Sequence, residues 1–150
     1  MSQPAEKPRR AMPALADFPH RVNDVVRYGD LDPQGHVNNA MFSTYFESGR
    51  VAMFRARDLG IGGPSAVFAL VRQEIDFLRE LHWQDRIVIG SAVVALGRTS
   101  FTLTQAIFKD DDCAATGRAV MVTLDAATRK PRPLPEEIVA QLAPWMYRGE

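Results

Sequence analysis

The stretch that most limits the fold runs from Asn39 to about Gly60. Within it Ala40, Met41, Phe42, Tyr45, Phe46, Gly49, Ala52, Met53 and Ala56 recur at spacings of three, four and seven, the repeat of an α-helical face. The spacing predicts a helix of about twenty residues, roughly 30 Å long, ending near Leu59 and Gly60. Asn38 stands at the N-cap position, and Gly60 stands where a helix C-terminus commonly takes a left-handed residue. The apolar stripe is broad, which predicts burial on most sides of the helix.

The rest of the chain must supply what surrounds this helix, and it reads as strands. Val22 to Arg27 is a short strand-like piece ahead of it, and "GIGGPSA" (Gly60 to Ala66) is a loop by its glycines and proline. Four extended stretches follow: Val67 to Leu78, Arg86 to Leu96, Ser100 to Lys109 and Ala114 to Leu124. In "SFTLTQAIF" the residues Phe101, Leu103, Gln105 and Ile107 alternate with the period of a half-buried strand. "LGRTS" and "KDDDC" are short enough for hairpins, which makes the neighbours antiparallel. Pro135 with Glu136 and Glu137 marks the start of a short C-terminal helix. The expected architecture is α+β, a long central helix wrapped by a five-stranded antiparallel sheet. Residues 1–16, rich in proline and charge, read as a flexible tail, and 17–150 as a single domain.

Composition narrows the function classes. Lysine plus arginine and aspartate plus glutamate balance at 18 each, so the broad basic excess that captures nucleic acid is missing. No apolar run is long enough to span a bilayer. The single Cys113 cannot form an intramolecular disulfide or a multi-cysteine zinc site. The N-terminal residues lack the apolar centre of a secretory signal, and the expected location is the cytoplasm.

The chemistry concentrates in "DLDPQGHVNNAMF". Asp32 lies in a Pro-Gly loop whose backbone can approach a ligand closely. Asn38 and Asn39 follow where the helix begins, and the free N–H groups there favour a developing negative charge. A carboxylate beside an anion hole is what acyl transfer from an activated carbonyl requires. Taken singly, each feature has a plain structural reading: Asp-Pro-x-Gly is a common turn, Asn before a helix is a cap, and Glu47 with Arg50 reads as an i,i+3 surface pair. Their conjunction ahead of so apolar a helix favours the functional reading.

The run "GDLDPQGHVNNAMFSTYFESGR" resembles the acidic-loop signature of hotdog-fold acyl-CoA thioesterases of the 4-hydroxybenzoyl-CoA thioesterase type. "LGRTSFTLTQAIF" and "GRAVMVTLD…TRKPRPLPEE" are similar to that family's later strands and closing segment, and the likeness spans about Val22 to Leu142. It implies a hotdog domain that hydrolyses an acyl-CoA thioester, with Asp32 as base or nucleophile and the Asn39 backbone N–H polarising the carbonyl. Glu47 is the second catalytic candidate, because branches of the family differ in using a helix acid. His36, Asn38 and Tyr45 are expected to line the substrate site. Arg98, Arg129, Lys130 and Arg132 are candidate phosphate partners, and Thr99 and Ser100 candidate pantetheine partners. Asp30 is expected to support the loop, since two adjacent carboxylates raise one another's pKa. No metal and no cofactor beyond the CoA of the substrate is expected. A homodimer or homotetramer is implied, with active sites between subunits, and an exposed sheet edge is a physical reason to pair.

Other readings are weaker. A magnesium-dependent aspartate phosphatase would want a parallel sheet and further metal acids. Asp30, Asp32 and His36 as a metal site would draw every ligand from one loop. A dehydratase would want a histidine in the helix, which has none. A hotdog module that binds acyl-CoA without turnover is the main alternative. The acyl group, and the choice between CoA and an acyl-carrier-protein thioester, are not legible from these residues.

Overall fold

The computed structural model describes residues 11–56 and 66–150, so the expected helix end at Leu59–Gly60 and nearly all of the Gly60–Ala66 loop lie outside the described residues. Strand β1 is His20–Val25, helix α1 is Asn39–Arg55, and strands β2 to β5 are Ala66–Phe77, Arg86–Leu96, Ser100–Lys109 and Asp112–Asp125. Helix α2 is Glu136–Leu142, with Pro135 as its N-cap. The five strands form one antiparallel sheet in the order β1-β3-β4-β5-β2. This is the expected α+β arrangement of a hotdog, with α1 packed on one face of the sheet.

The hairpins β3–β4 and β4–β5 follow from their short turns. The link from β2 to β3 does not: β2 is one edge of the sheet and β3 lies next to the opposite edge. The segment from Leu78 to Asp85 therefore crosses the end of the sheet. It is pinned on the way, with Leu78 and Arg79 N–H groups donating to the Ala114 carbonyl and Leu81 fully buried. This crossover passes the start of α1, where the Val37 N–H donates to the Leu81 carbonyl at 2.8 Å.

Helix α1 is less enclosed than its composition predicts. Phe42, Tyr45, Phe46, Gly49, Arg50 and Met53 are buried against the sheet, whereas Thr44, Glu47, Ser48 and Val51 are exposed. The sheet covers one side of the helix only. Arg50 is likewise no partner in a surface pair: it is buried, and its guanidinium donates to Gln105 Oε1 at 3.2 Å. The Gln105 amide in turn donates to the Phe46 carbonyl and to Ser91 Oγ, both at 2.9 Å. A buried charge is tolerable only when polar groups replace its water, and this chain of amide and hydroxyl does so.

Strand β4 is also more buried than a two-period pattern implies, with both faces covered over most of its length. One face meets α1. On the other, Phe18, Ala92, Ala106, Phe108 and Cys113 form a separate apolar cluster, against which Leu15 and Tyr147 pack. Chain segments near both ends thus roof the outer face of the sheet. Gly90 makes room for this roof, because a Cβ there would sit 2.6 Å from the Phe18 ring.

Gly49 fixes how closely α1 approaches the sheet. A Cβ on it would meet Ile89 Cγ2 at 2.6 Å and Gln105 Nε2 at 3.0 Å. Alanine would gain roughly 1 kcal/mol of helix propensity, but overpacking a core typically costs about 1–3 kcal/mol. We expect Gly49→Ala to be destabilised by roughly 1 kcal/mol net in urea unfolding. A variant more stable than the parent would show that the helix can move away freely.

Candidate active site

The loop ahead of α1 is built around two aspartates with different tasks. Asp30 is buried. Its Oδ2 accepts the Tyr45 hydroxyl at 2.7 Å and the Arg27 N–H at 3.0 Å, and its carbonyl accepts the Asn38 N–H at 2.9 Å. Burial first, then the hydrogen bond and charge of Asp30, push the Tyr45 hydroxyl well above the ordinary tyrosine range. Tyr45 is accordingly a support beneath the loop, and it is not among the residues lining the cleft described below.

Asp32 is half-exposed and lies in a tight turn. Its Oδ1 accepts the N–H groups of Gln34 at 2.8 Å and His36 at 3.3 Å, while its own N–H donates to the His36 carbonyl at 2.8 Å. Gly35 allows this closure by taking a φ of 83°, a value that L side chains resist. These bonds occupy one carboxylate oxygen; Oδ2 has no hydrogen-bond partner among the described residues.

The turn delivers the chain into α1, whose first N–H groups lack helical acceptors. Asn38 caps the helix as the sequence indicated: its Oδ1 accepts the Ala40 N–H at 3.0 Å and its carbonyl accepts that of Met41 at 2.8 Å. The Asn39 N–H is left with no acceptor among the described residues. Asp32 and Asn39 line one cleft of about 340 Å³. Phe42 and Phe77 give it an apolar wall, their rings edge to face with centroids 5.1 Å apart.

The other half of the cleft comes from the crossover, and sequence reading had not assigned it. Arg79 and Glu80 line it with His36. His36 Nε2 is 3.3 Å from Glu80 Oε2, and His82 Nε2 is 3.8 Å from the same atom. Asp85, at the end of the crossover, is held below the ordinary carboxylate range: burial opposes its charge, but the His82 N–H and the Lys109 ammonium outweigh that. Only the sheet topology brings these residues to the loop.

The remaining candidates lie elsewhere in the chain. Glu47 is exposed and sits roughly 12 Å along the helix axis from Asn39. Burial lowers the Arg50 guanidinium from its usual range, and the Glu47 charge opposes that shift. Arg98 and Thr99 occupy the β3–β4 turn, Ser100 opens β4, and Arg129, Lys130 and Arg132 follow β5. Backbone bonds stitch the two together, the Thr123 N–H to Thr99 and the Leu134 N–H to Arg98. This basic end is separated from the Asp32 cleft along the strands: Ser100 stands seven residues, or roughly 23 Å, from Ile107, which lies level with Ala115 and the cleft residue Phe77. Asp30, Asp32 and His36 do not converge on a common point as metal ligands; His36 instead converges with Glu80 and His82.

The model of the thioesterase-like superfamily matches residues 26–142, which include the acidic loop, α1 and the whole β2–β5 sheet. The chain belongs to that superfamily. A thioesterase from Thermus thermophilus, solved in complex with coenzyme A and zinc, is 38% identical to it, covers 84% of this chain and 93% of its own, and superposes with a TM-score of 0.74. The PA5185 protein of Pseudomonas aeruginosa superposes with a TM-score of 0.84 at 26% identity, over 92% of this chain and 99% of its own. A 1,4-dihydroxy-2-naphthoyl-CoA hydrolase of Synechococcus elongatus is 28% identical over 129 residues, 83% of this chain and 93% of the relative. The chain is therefore an enzyme of the thioester-hydrolase kind. Among the described residues no helix is long and apolar enough to cross a membrane.

The Asp30–Tyr45 bond generates a prediction. Tyr45→Phe leaves a buried carboxylate short of a donor and should cost about 1–3 kcal/mol at neutral pH. The Tyr45 hydroxyl titrates higher in the folded than in the unfolded chain. Its contribution is thus fully present below the unfolded value near 10 and fades as pH rises above it. Denaturant unfolding at pH 7 and pH 10.5 should show the gap between parent and variant narrowing at the higher pH.

Proposed function

We propose that the chain hydrolyses an acyl-CoA thioester to the free acid and CoA, with Asp32 and the Asn39 N–H as its catalytic groups. The observation that carries this reading is that Asp32, with one carboxylate oxygen unbonded, and Asn39, whose N–H has no acceptor among the described residues, line the same cleft. An oxyanion donor of this kind is worth about 3–4 kcal/mol of barrier, and a positioned base about 10²- to 10⁴-fold in rate. As base, Asp32 takes a proton from water as the water oxygen bonds to the carbonyl carbon. The carbonyl oxygen gains the negative charge opposite the Asn39 N–H, and collapse breaks the C–S bond. The proton then passes to the leaving thiolate. As nucleophile, Asp32 bonds to the carbonyl carbon, the C–S bond breaks to release the thiolate, and water then hydrolyses the mixed anhydride, its released proton passing to the thiolate. Neither route calls on a metal or an added cofactor.

The separation of the basic end from the cleft supports a two-subunit site. β2 is an edge strand with an exposed face at Leu70 and Val71. If two copies pair their β2 strands about a two-fold axis, the start of one lies beside the end of the other. The start, Ala66, pairs with Asp125 next to Arg129 and Lys130, while the end, Phe77, lines the Asp32 cleft. Pairing thus carries the basic turn of one copy toward the cleft of the other, where it can meet the phosphates of CoA. We infer a homodimer at least, with Arg98, Arg129, Lys130 and Arg132 serving the partner's substrate. The T. thermophilus complex with coenzyme A makes CoA the first ligand to try. The S. elongatus hydrolase places aromatic acyl groups first in the panel. A cytoplasmic location fits these substrates.

Thiol release from a panel of aromatic and aliphatic acyl-CoAs tests the proposal. Asp32→Asn should keep the fold and lower kcat by about 10²-fold or more. Turnover that survives this change would transfer the role to Glu47, and CoA binding without turnover by the parent would make the chain a binding module. After single turnover in ¹⁸O-labelled water, label in the Asp32 carboxylate would identify it as the nucleophile, with water opening the anhydride at the aspartyl carbonyl.

A further inference from the structure

We propose that His36, Glu80 and His82 form a binding site for a divalent transition-metal ion of the zinc class. Each offers one ligand atom, and the three atoms lie within 4.8 Å of one another. Two ligands about 2.05 Å from a tetrahedral zinc stand about 3.3 Å apart. His36 Nε2 and Glu80 Oε2, at 3.3 Å, already have that spacing, and His82 Nε2, at 3.8 Å from the same oxygen, needs a small closing motion. The motion is easy because the side chains are 31, 64 and 51% exposed, in the order His36, Glu80, His82.

The backbone under the site is fixed while the side chains are not. His36 and His82 pair as an antiparallel bridge, and the Val37 N–H donates to the Leu81 carbonyl at 2.8 Å. The imidazole rings stand edge to face with centroids 5.4 Å apart. Both therefore project from paired backbone beside the carboxylate of Glu80.

The donor set selects the ion. Two imidazoles and one carboxylate suit zinc and its neighbours, and three protein ligands leave a fourth position for water. Calcium and magnesium prefer oxygen ligands. Of the three histidines in the chain, two are here. A ligating imidazole commonly turns its second nitrogen to a carboxylate, and His82 Nδ1 is 3.9 Å from Asp85 Oδ2. Asp85 is itself held by the His82 N–H at 2.8 Å and by Lys109 Nζ at 2.9 Å. Arg79, which lines the Asp32 cleft with Glu80, is a further cationic neighbour beside Lys109.

The bound ion clamps the Asp32 loop to the crossover. His36 lies on the turn whose N–H groups donate to Asp32 Oδ1, and Glu80 and His82 lie on the crossover segment, of which Glu80 lines the cleft. The site stands on its own geometry and does not rest on the proposed reaction.

The test uses the full chain, stripped with a chelator and titrated with zinc chloride by calorimetry. We expect about one ion per chain, a rise in Tm on binding, and no heat with magnesium chloride. Cobalt(II) in place of zinc should give the intense visible absorption of a four-coordinate site. Glu80→Gln and His82→Ala change exposed side chains and should leave the circular dichroism spectrum intact. Each should weaken zinc binding about 10-fold or more, since losing a group that merely supports a ligand costs that much. Absence of zinc binding by the parent overturns the proposal. So does unchanged affinity in the folded double variant His36→Ala, His82→Ala, which would put the ion elsewhere.

Discussion

The carboxylate of Asp30 holds together what the rest of the site depends on. It reaches Tyr45 on the helix and the Arg27 N–H just beyond the incoming strand, while the Asp30 backbone carbonyl takes the Asn38 N–H at the helix cap. Three pieces of chain are thereby fixed by one buried residue. Without it the helix would still form, because its apolar face is buried against the sheet. The side-chain tie between the helix and the chain entering the Asp32 loop, however, would be lost. A charge removed from water is tolerable only with strong donors, and here those donors are the elements that need aligning. Two aspartates so close in sequence thus divide between holding the loop and facing the cleft.

Much of the fold was legible because its signals are local. The apolar repeat from Ala40 onward marks a helix whatever surrounds it, and the tight turns after Leu96 and Lys109 dictate antiparallel neighbours. The strands Arg86–Leu96 and Ser100–Lys109 lie where the pattern put them. The strand order was not legible. Nothing in "LREL" announces that the chain leaves one sheet edge and rejoins beside the other, since a crossover and a long hairpin loop draw on the same residue types. Arg50 misled for a related reason. A charged residue on a helix signals solvent, and only the arrival of Gln105 and Ser91 from distant strands makes its burial tolerable.

The candidate site divides along the same line. Asp32, the cap and Asn39 are close in sequence, so turn and helix chemistry alone bring them together. Arg79 and Glu80 reach the same cleft only through the crossover, which also brings His82 beside His36, and no spacing rule connects residue 36 to residue 82. The basic residues were rightly grouped with one another, yet the single chain sets them at the far end of the strands. Their grouping followed from sequence proximity and their distance from the cleft from the strand directions.

The crossover has a consequence for how such an enzyme can diversify. Its ends and Leu81 are tied down, but Arg79 and Glu80 between them carry no part of the strand ladder. Replacing those residues leaves every strand register intact, and lengthening a surface loop costs little entropy. The crossover side of the cleft can thus be rewritten while the helix, its cap and the Asp32 loop stay as they are. Under the proposed reaction, the crossover shapes the cleft while a separate stretch of chain carries Asp32 and Asn39, so descendants of one ancestor can exchange the first without rebuilding the second.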